Sequence, residues 1–345
     1  MAMLMLLFFL FEIACGNIWV YPGSHQKSGE EERTPVPIDI EVYRNMFTYA
    51  HLIDISYCIS STTRLEEPFN CDLNCEKRFP NVTLVYQWYF DDSVCGYIAT
   101  TYSNIFNYES EEGKGHKKTI IVSLRGTRSI FDSYTDIKVD MVNYYNYGSN
   151  IQECGTDCKV HRGFYKYYIN TLLKIEGILR NELQTDDDYE LLIVGHSLGG
   201  AVGLLLGLYY LDEGFDKITL VTMGQPLVGN KQFAEFVDNV MGSRLPIEHN
   251  TFNRKFFRVI HKDDIVATIP SNNRILDSYS QFDNQIYLNC LASDTMPSLE
   301  QVLDCFDGDN PQCISGDIEN YLLSHNYLQI HTTYFRSMGL CGIRI

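Results

Sequence analysis

The chain has 345 residues, of which 45% are apolar and 21% charged, proportions typical of a globular protein with one large domain or two small ones. It carries 27 basic and 44 acidic residues, a formal net charge of -17. Such a surface repels a phosphate backbone rather than neutralising it. Nucleic acid is therefore excluded as a natural partner.

The chain begins with an apolar run from Met1 to Phe11, followed by small residues at Ala14 and Gly16. This pattern predicts a secretory signal peptide over residues 1–16, although the run lacks a preceding Lys or Arg and is followed by Glu12. A short membrane anchor is the alternative. The run is well short of the roughly 20 apolar residues that a spanning helix needs, which favours the signal peptide.

Residues 17–40 are mostly polar, with several prolines and glycines and an acidic cluster at 30–32. Such a segment buries little apolar surface, so it is interpreted as an exposed leader or propeptide. The remaining residues, 41–345, alternate β-rich and helical patterns. Strands are predicted at 83–90, 94–102, 118–124, 190–195, 217–224 and 255–261, and helices at 42–57, 162–183, after residue 197 and at 230–240. This alternation predicts a single α/β domain with a mostly parallel sheet.

The eleven cysteines are many for a cytosolic enzyme, and loss of Cys15 with the signal would leave an even ten. Two close pairs share a C-x3-C spacing: Cys71 with Cys75, and Cys154 with Cys158. Four zinc ligands are the alternative to two local disulfides, but no matching Cys/His pattern follows. The tripeptide at Asn81 predicts a glycosylation site in a secreted chain.

The segment LLIVGHSLGG places Ser197 between Gly195 and Gly199, after an apolar strand and before a helix rich in small residues. A strand-to-helix turn of the G-x-S-x-G type exposes the serine hydroxyl as a nucleophile, and its crowding requires small flanking residues. The alternative is a tight turn that glycines merely pack. The pattern therefore predicts a nucleophile whose base and acid follow later in the chain.

Two histidines lie beyond the last β-rich run, His325 and His331, and either fits the base. The acid is expected where the predicted strand 255–261 ends, at Asp263 or Asp264, since such sheets carry catalytic groups at this edge. His261 precedes the acid and is interpreted as a surface residue at the strand end.

A serine nucleophile of this kind also needs donors for an oxyanion. One is the N–H of Leu198, directly after the serine, and the other is expected in a loop after an earlier strand. The segment IIVSLRGT supplies Gly126 for close backbone approach and Thr127 as a donor. Taken alone, this segment also fits an ordinary turn.

The next segment fits a helix with one apolar face and one acidic face. The predicted lid residues are Ile130, Phe131, Tyr134, Ile137 and Met141, and the acidic face carries Asp132, Asp136 and Asp140. A surface helix docked on the core is the alternative. Its position after the oxyanion strand favours a lid that opens at a lipid interface.

Together these segments resemble the class 3 lipase family, the secreted fungal and yeast triacylglycerol lipases. The resemblance rests on SLRGTRSI, CKVHRGFYKYY, VGHSLGGAVG, GQPLVGN, VIHKDDIVATIP and HTTYFRSMGLC, and spans roughly Tyr43 to Cys341. It implies an α/β-hydrolase fold, no metal or other cofactor, secretion, and a lipid ester substrate met at an interface. A monomer is expected.

Carried over residue by residue, the resemblance implies Ser197 as nucleophile, Asp264 as acid and His331 as base. It places the oxyanion donors at Thr127 and Leu198 and the lid at residues 128–142. The disulfides it implies are Cys58–Cys341, Cys71–Cys75, Cys154–Cys158 and Cys305–Cys313.

Two features depart from the family pattern. Cys95 and Cys290 have no family partner, so they form either an extra bridge or buried thiols. The Tyr/Asn-rich stretch at 143–150 follows the predicted lid, and its aromatics could alter which acyl chains enter.

The same scaffold could serve a phospholipase, a feruloyl esterase or another carboxylesterase. A non-catalytic surface protein with a hydrolase fold is a further alternative.

Overall fold

A computed structural model describes residues 33–90, 93–106, 117–127, 140–245, 253–270, 278–313 and 327–341. The predicted signal peptide, the leader up to residue 32 and four predicted lid residues lie outside these ranges; the four are Ile130, Phe131, Tyr134 and Ile137. His325 also lies outside them. Within the described residues, no helix is long and apolar enough to cross a membrane.

Two sets of elements build the described part of the chain. The strands are β1 (Val36–Pro37), β2 (Thr83–Tyr89), β3 (Cys95–Thr101), β4 (Lys118–Arg125), β5 (Met141–Asn143), β6 (Lys159–His161), β7 (Tyr189–His196), β8 (Ile218–Met223), β9 (Phe256–His261), β10 (Gln285–Leu288) and β11 (Val302–Asp304). The α-helices are α1 (Ile40–Ser56), α2 (Cys75–Arg78), α3 (Arg162–Gln184), α4 (Leu198–Asp212), α5 (Lys231–Met241) and α6 (Tyr327–His331).

Nine strands form one twisted central sheet in the order β1-β11-β10-β9-β8-β7-β4-β3-β2. The central strands β4, β7, β8, β9 and β10 run parallel, whereas the pairs at both edges are antiparallel. The sheet is thus parallel at its centre and mixed overall, as in an α/β-hydrolase fold. Strand β5 pairs with β6 in a separate two-stranded sheet.

The central strands are parallel because helices cover both faces and both faces are apolar. Every residue of β4 is buried, and all but one residue of β7 are buried, the continuous apolar pattern of a strand covered on two sides. Helix α4 is apolar around its whole circumference and buried along almost its full length. The parallel arrangement brings the carboxyl ends of β7, β8 and β9 to one edge of the sheet, the usual place for a site in such folds.

The domain begins earlier than residue 41. Val36 and Pro37 pair with β11, and Ile38 is buried in the core. Asp39 then caps α1, its carboxylate accepting hydrogen bonds from the N–H groups of Glu41 and Val42. The last residues of the predicted leader therefore belong to the folded domain.

The structure also differs from the predicted lid helix at Met141. This residue lies in β5, opposite His161 in β6, and not in a helix as predicted. Met141 is half-buried in this small sheet. A strand at this point gives the segment after the predicted lid a fixed attachment to the start of α3.

Four disulfides join cysteines in the described part of the chain, and they match the four pairings implied by the family resemblance: Cys58–Cys341, Cys71–Cys75, Cys154–Cys158 and Cys305–Cys313. Cys95 and Cys290 are buried thiols outside any disulfide. Asn81 is exposed, in the turn directly before β2.

Candidate active site

Ser197 occupies a sharp turn between β7 and α4. Its backbone has φ 58° and ψ -131°, a conformation that L-residues rarely adopt and that costs of order 1–3 kcal/mol. The flanking glycines are needed for packing, because a Cβ on Gly195 would lie 2.6 Å from the carbonyl oxygen of Gly199, and one on Gly199 would lie 2.6 Å from that of Leu124. The turn is further held by the N–H of Ser197, which donates to the carbonyl of Met223 at 3.0 Å.

The loop after β4 lies directly against this turn. A Cβ on Gly126 would lie 3.0 Å from both the backbone nitrogen of Leu198 and the Cβ of Ser197. Thr127, which follows, is buried. Because Leu198 opens α4, its N–H has no helical carbonyl to bind and belongs to the positive end of the helix dipole. The predicted oxyanion residues therefore flank Ser197.

Asp264 and His331 form a buried pair at the same edge of the sheet. Nδ1 of His331 lies 2.9 Å from Oδ2 and 3.0 Å from Oδ1 of Asp264. Asp264 follows β9 and also caps a short 3-10 helix, accepting from the N–H of Val266 at 3.0 Å. The hydroxyl of Tyr334 donates to Oδ2 of Asp264 at 2.5 Å. His331 is the last residue of α6.

The environment of Asp264 favours its charged form. Burial alone would raise its pKa, but the neighbouring His331 ring and the hydrogen bonds from His331 and Tyr334 together lower the pKa below its ordinary value. An ionised Asp264 can only accept, so Nδ1 of His331 carries the proton in this contact. The carboxylate thus fixes one tautomer of His331, with Nε2 as the basic nitrogen.

The surroundings of Asp263 and His261 differ from those of the Asp264–His331 pair. Asp263 is exposed, with φ 65°, and does not take part in the buried pair. His261 is buried rather than a surface residue, which corrects its interpretation. Its Nδ1 lies 2.5 Å from the carbonyl of Lys262, and its Nε2 lies 3.4 Å from the thiol of Cys290.

Three residues of the site were not predicted as functional from the sequence. Gly224 follows β8 with φ 62° and approaches the Asp264–His331 pair. His196 and Tyr57 are buried and hydrogen-bonded to each other, and His196 also bonds the backbone of His331. A glycine directly after a buried strand was the available signal for Gly224, whereas no local pattern marks Tyr57.

Among the described residues, no group of three or more His, Cys, Asp or Glu side chains is arranged to hold a metal ion. Ser197 could supply a nucleophile, and the Asp264–His331 pair could transfer a proton.

Comparison with known proteins places this geometry in one family. The lipase (class 3) family model matches residues 121–274, which include most of β4, the serine turn and Asp264. The secreted mono- and diacylglycerol lipase 2 of Gibberella zeae is 31% identical over 313 residues, covering 86% of this chain and 74% of that protein. The chain belongs to the class 3 lipase family.

Two further relatives support this assignment. The secreted mono- and diacylglycerol lipase 1 of Fusarium solani is 26% identical to this chain. The alignment covers 99% of this chain and 90% of that protein. The crystal structure of Lip2 lipase from Yarrowia lipolytica is 32% identical, with a TM-score of 0.73 over 90% of this chain and 99% of that one. This lipase is accordingly an α/β-hydrolase-fold enzyme, a carboxylic ester hydrolase.

Proposed function

We propose that this lipase hydrolyses acylglycerol esters, triacylglycerol among them, through a covalent acyl-enzyme on Ser197. The observation that carries the proposal is the buried Asp264–His331 pair, joined at 2.9 Å, at the sheet edge where the strained serine turn lies. This is the combination of nucleophile, base and orienting acid that acyl transfer requires. The names of the secreted mono- and diacylglycerol lipases support acylglycerols as substrates.

In the first half-reaction, Oγ of Ser197 attacks the ester carbonyl and its proton passes to Nε2 of His331. The Asp264 carboxylate stabilises the imidazolium that forms. The N–H groups of Thr127 and Leu198 donate to the oxyanion of the tetrahedral intermediate. The C–O bond to the glycerol oxygen then breaks, and His331 returns the proton to the leaving alcohol.

In the second half-reaction, His331 takes a proton from water as the water oxygen attacks the acyl-enzyme carbonyl. A second tetrahedral intermediate forms in the same oxyanion site. Collapse of this intermediate breaks the bond to Oγ, and the proton on His331 returns to Ser197. The fatty acid leaves, and every proton is accounted for without a cofactor.

The proposal includes an access step. The proposed lid, now limited to residues 128–140, uncovers the site at a lipid–water interface. The chain acts as a secreted monomer after removal of residues 1–16, with a glycan at Asn81. The exposed position of Asn81 supports the proposed glycan. The disulfides of the chain support an extracellular location.

The decisive test replaces the nucleophile. Ser197→Ala is expected to abolish hydrolysis of both a short-chain soluble ester and emulsified acylglycerol, with unfolding still cooperative. A matched control is Ser123→Ala, which removes a buried hydroxyl bonded to the carbonyl of Leu52 at 2.9 Å but leaves the site intact. A Ser197→Ala protein with wild-type turnover would refute the mechanism.

A substrate panel tests the specificity. Acylglycerols, a phospholipid and an aryl ester are compared at matched chain length. The highest kcat/KM is expected on acylglycerols, together with a rise in rate above the substrate's solubility limit. A preference for the phospholipid or the aryl ester would replace acylglycerol as the substrate class while leaving the serine mechanism standing.

A further inference from the structure

The side chain of His196, next to the nucleophile, bridges two parts of the chain. Its Nε2 lies 2.7 Å from the carbonyl oxygen of His331, and its Nδ1 lies 2.6 Å from the hydroxyl of Tyr57. A carbonyl oxygen can only accept, so Nε2 of His196 must carry the proton and donate it. Nδ1 then accepts, and Tyr57 donates.

This protonation state does not change over the pH range of an active enzyme. Burial, together with the nearby His331 ring, lowers the pKa of His196 to about 3. The rings of His196 and His331 lie with centroids 4.7 Å apart. His196 is therefore a neutral donor with a fixed tautomer, beside a histidine that must accept and release a proton in every turnover.

The carbonyl that His196 binds is one that the helix itself leaves without a partner. His331 ends α6, which has five residues, and the last carbonyls of a helix receive no intrahelical N–H. A buried carbonyl of this kind needs a donor from elsewhere. The residue before the nucleophile thus fixes the backbone of a residue 135 positions later in the chain.

Tyr57 extends the connection to the oxyanion loop. The guanidinium carbon of Arg125 lies 5.8 Å from the centroid of the Tyr57 ring. The same guanidinium donates to the carbonyl of Gly126 at 2.8 Å and to that of Ile59 at 3.1 Å. Tyr57 therefore lies between the backbone of the base and the loop that carries Thr127.

We infer that Tyr57 and His196 are positioning residues, which hold the imidazole of His331 at attack distance from Ser197. The inference rests on the proposed serine mechanism. Geometry of this kind acts on the rate of the bound complex and not on substrate affinity, and misplacement of a catalytic group by about 1 Å can cost 100-fold in rate. Loss of the hydrogen bond from Tyr57 or His196 should therefore lower kcat and leave KM almost unchanged.

Four variants of the full chain test the inference with a soluble short-chain ester. Tyr57→Phe removes the hydroxyl but keeps the ring. His196→Leu removes the donor to His331, and His196→Gln restores an N–H donor near the position of Nε2. Tyr97→Phe is the matched control, because Tyr97 is fully buried and its hydroxyl donates to the carbonyl of Leu52 at 2.9 Å.

Rates are divided by the number of active sites titrated with a fluorophosphonate, so that misfolded protein does not count. Tyr57→Phe and His196→Leu are expected to lower kcat per titrated site by about 10- to 100-fold, with KM within about threefold. His196→Gln should recover at least part of the loss. Tyr97→Phe should lower the melting temperature but leave kcat per site within about twofold.

The inference is overturned if Tyr57→Phe and His196→Leu retain wild-type kcat per titrated site, whatever their melting temperatures. It is also overturned if His196→Gln is as slow as His196→Leu. A wild-type protein that is not labelled at Ser197 would instead refute the proposed function, so the two failures are distinguishable.

Discussion

Gly224 and His331 are in such close contact that a Cβ atom on Gly224 would lie 3.0 Å from Cε1 of the imidazole and 3.1 Å from Oδ2 of Asp264. The glycine has φ +62°, a conformation that a side chain makes costly. The end of β8 thus packs directly against the Asp264–His331 pair, and a side chain at position 224 would displace that pair.

Gly224→Ala should displace the His331 ring and strain the backbone. We expect kcat to fall by about 10- to 100-fold and the free energy of unfolding to fall by about 1–3 kcal/mol. Steady-state kinetics and urea unfolding measure the two effects. Gly177→Ala is the control: Gly177 lies in α3 with open space around it, and alanine there should stabilise the helix by about 0.5–1 kcal/mol. An active, stable Gly224→Ala enzyme would contradict the contact.

Asp264→Asn tests the tautomer of His331. An amide can present N–H to Nδ1, which would move the imidazole proton to Nε2 and remove the base. We expect kcat to fall by about 10³- to 10⁴-fold with little change in the fold. Kinetics on a soluble ester and a circular dichroism spectrum are the measurements, and a loss of less than tenfold would argue against the assigned role of the carboxylate.

The lowered pKa of Asp264 also predicts a pH dependence of stability. A carboxyl with a depressed folded-state pKa stabilises the protein above its unfolded pKa, about 3.9, and this contribution is lost as the pH falls through the folded pKa. The difference in unfolding free energy between wild type and Asp264→Asn should therefore shrink as the pH is lowered from 6 to 3. A difference that stays constant or grows would contradict the direction of the shift.

Asp238, at the end of α5, predicts the opposite pH dependence. Its carboxylate accepts from the N–H of Asp283 at 3.0 and 3.1 Å, and burial together with the Asp283 carboxylate raises its pKa to about 7 despite the nearby Ser243 and Arg244. The folded protein then holds a proton that the unfolded chain releases between about pH 4 and 7, so stability falls as the pH rises through that range.

Asp238→Asn keeps an acceptor for Asp283 but cannot ionise. We expect the variant to unfold with a free energy about 1–3 kcal/mol higher than wild type at pH 8 and with no such gain at pH 4. Denaturant unfolding at the two pH values is the measurement. An equal change in the free energy of unfolding at both pH values would show that the Asp238 carboxyl does not titrate between them.

Asp212 tests whether the Tyr/Asn-rich stretch affects the active site. Its carboxylate accepts from the N–H groups of Tyr147 and Ser149 at 2.8 Å and of Asn150 at 3.3 Å. Asp212 ends α4, about 22 Å along the helix from Ser197 at a rise of about 1.5 Å per residue. The loop is therefore fixed at the far end of the helix, which does not favour the idea that its aromatics select acyl chains.

Asp212→Ala should lower the free energy of unfolding by about 1–3 kcal/mol, because three part-buried N–H groups lose their acceptor. The ratio of rates on short- and long-chain esters should stay within about twofold of wild type. A changed ratio would restore a role in chain selection to this loop.

The serine turn was predictable because its chemistry is local: glycines at two fixed positions, a buried strand before and a helix after. Asp264 was harder, since spacing alone could not separate it from Asp263, and only burial of one and exposure of the other does so. His196 was not predicted as a functional residue, because its partner Tyr57 lies 139 positions away, beyond any local pattern.

The strands at one edge of the sheet were missed for a different reason. Strands β10 and β11 have four and three residues and carry polar side chains that are buried. Gln285 accepts from Arg258 at 3.1 Å and donates to the carbonyl of Cys313, and Asp304 forms an ion pair with Arg254 at 2.7 Å. Their burial depends on partners from other strands, so an alternation of apolar residues does not reveal them.

The Cys58–Cys341 disulfide has a consequence for the synthesis of the enzyme. It joins the residue after Tyr57 to the segment that follows His331, and encloses residues 58–341 in one covalent loop that leaves β1 and α1 outside. During translation the serine turn leaves the ribosome long before the histidine and the second cysteine. On the proposed mechanism, activity therefore begins only after the last part of the domain has been made and Cys341 has been joined to Cys58, just after α1.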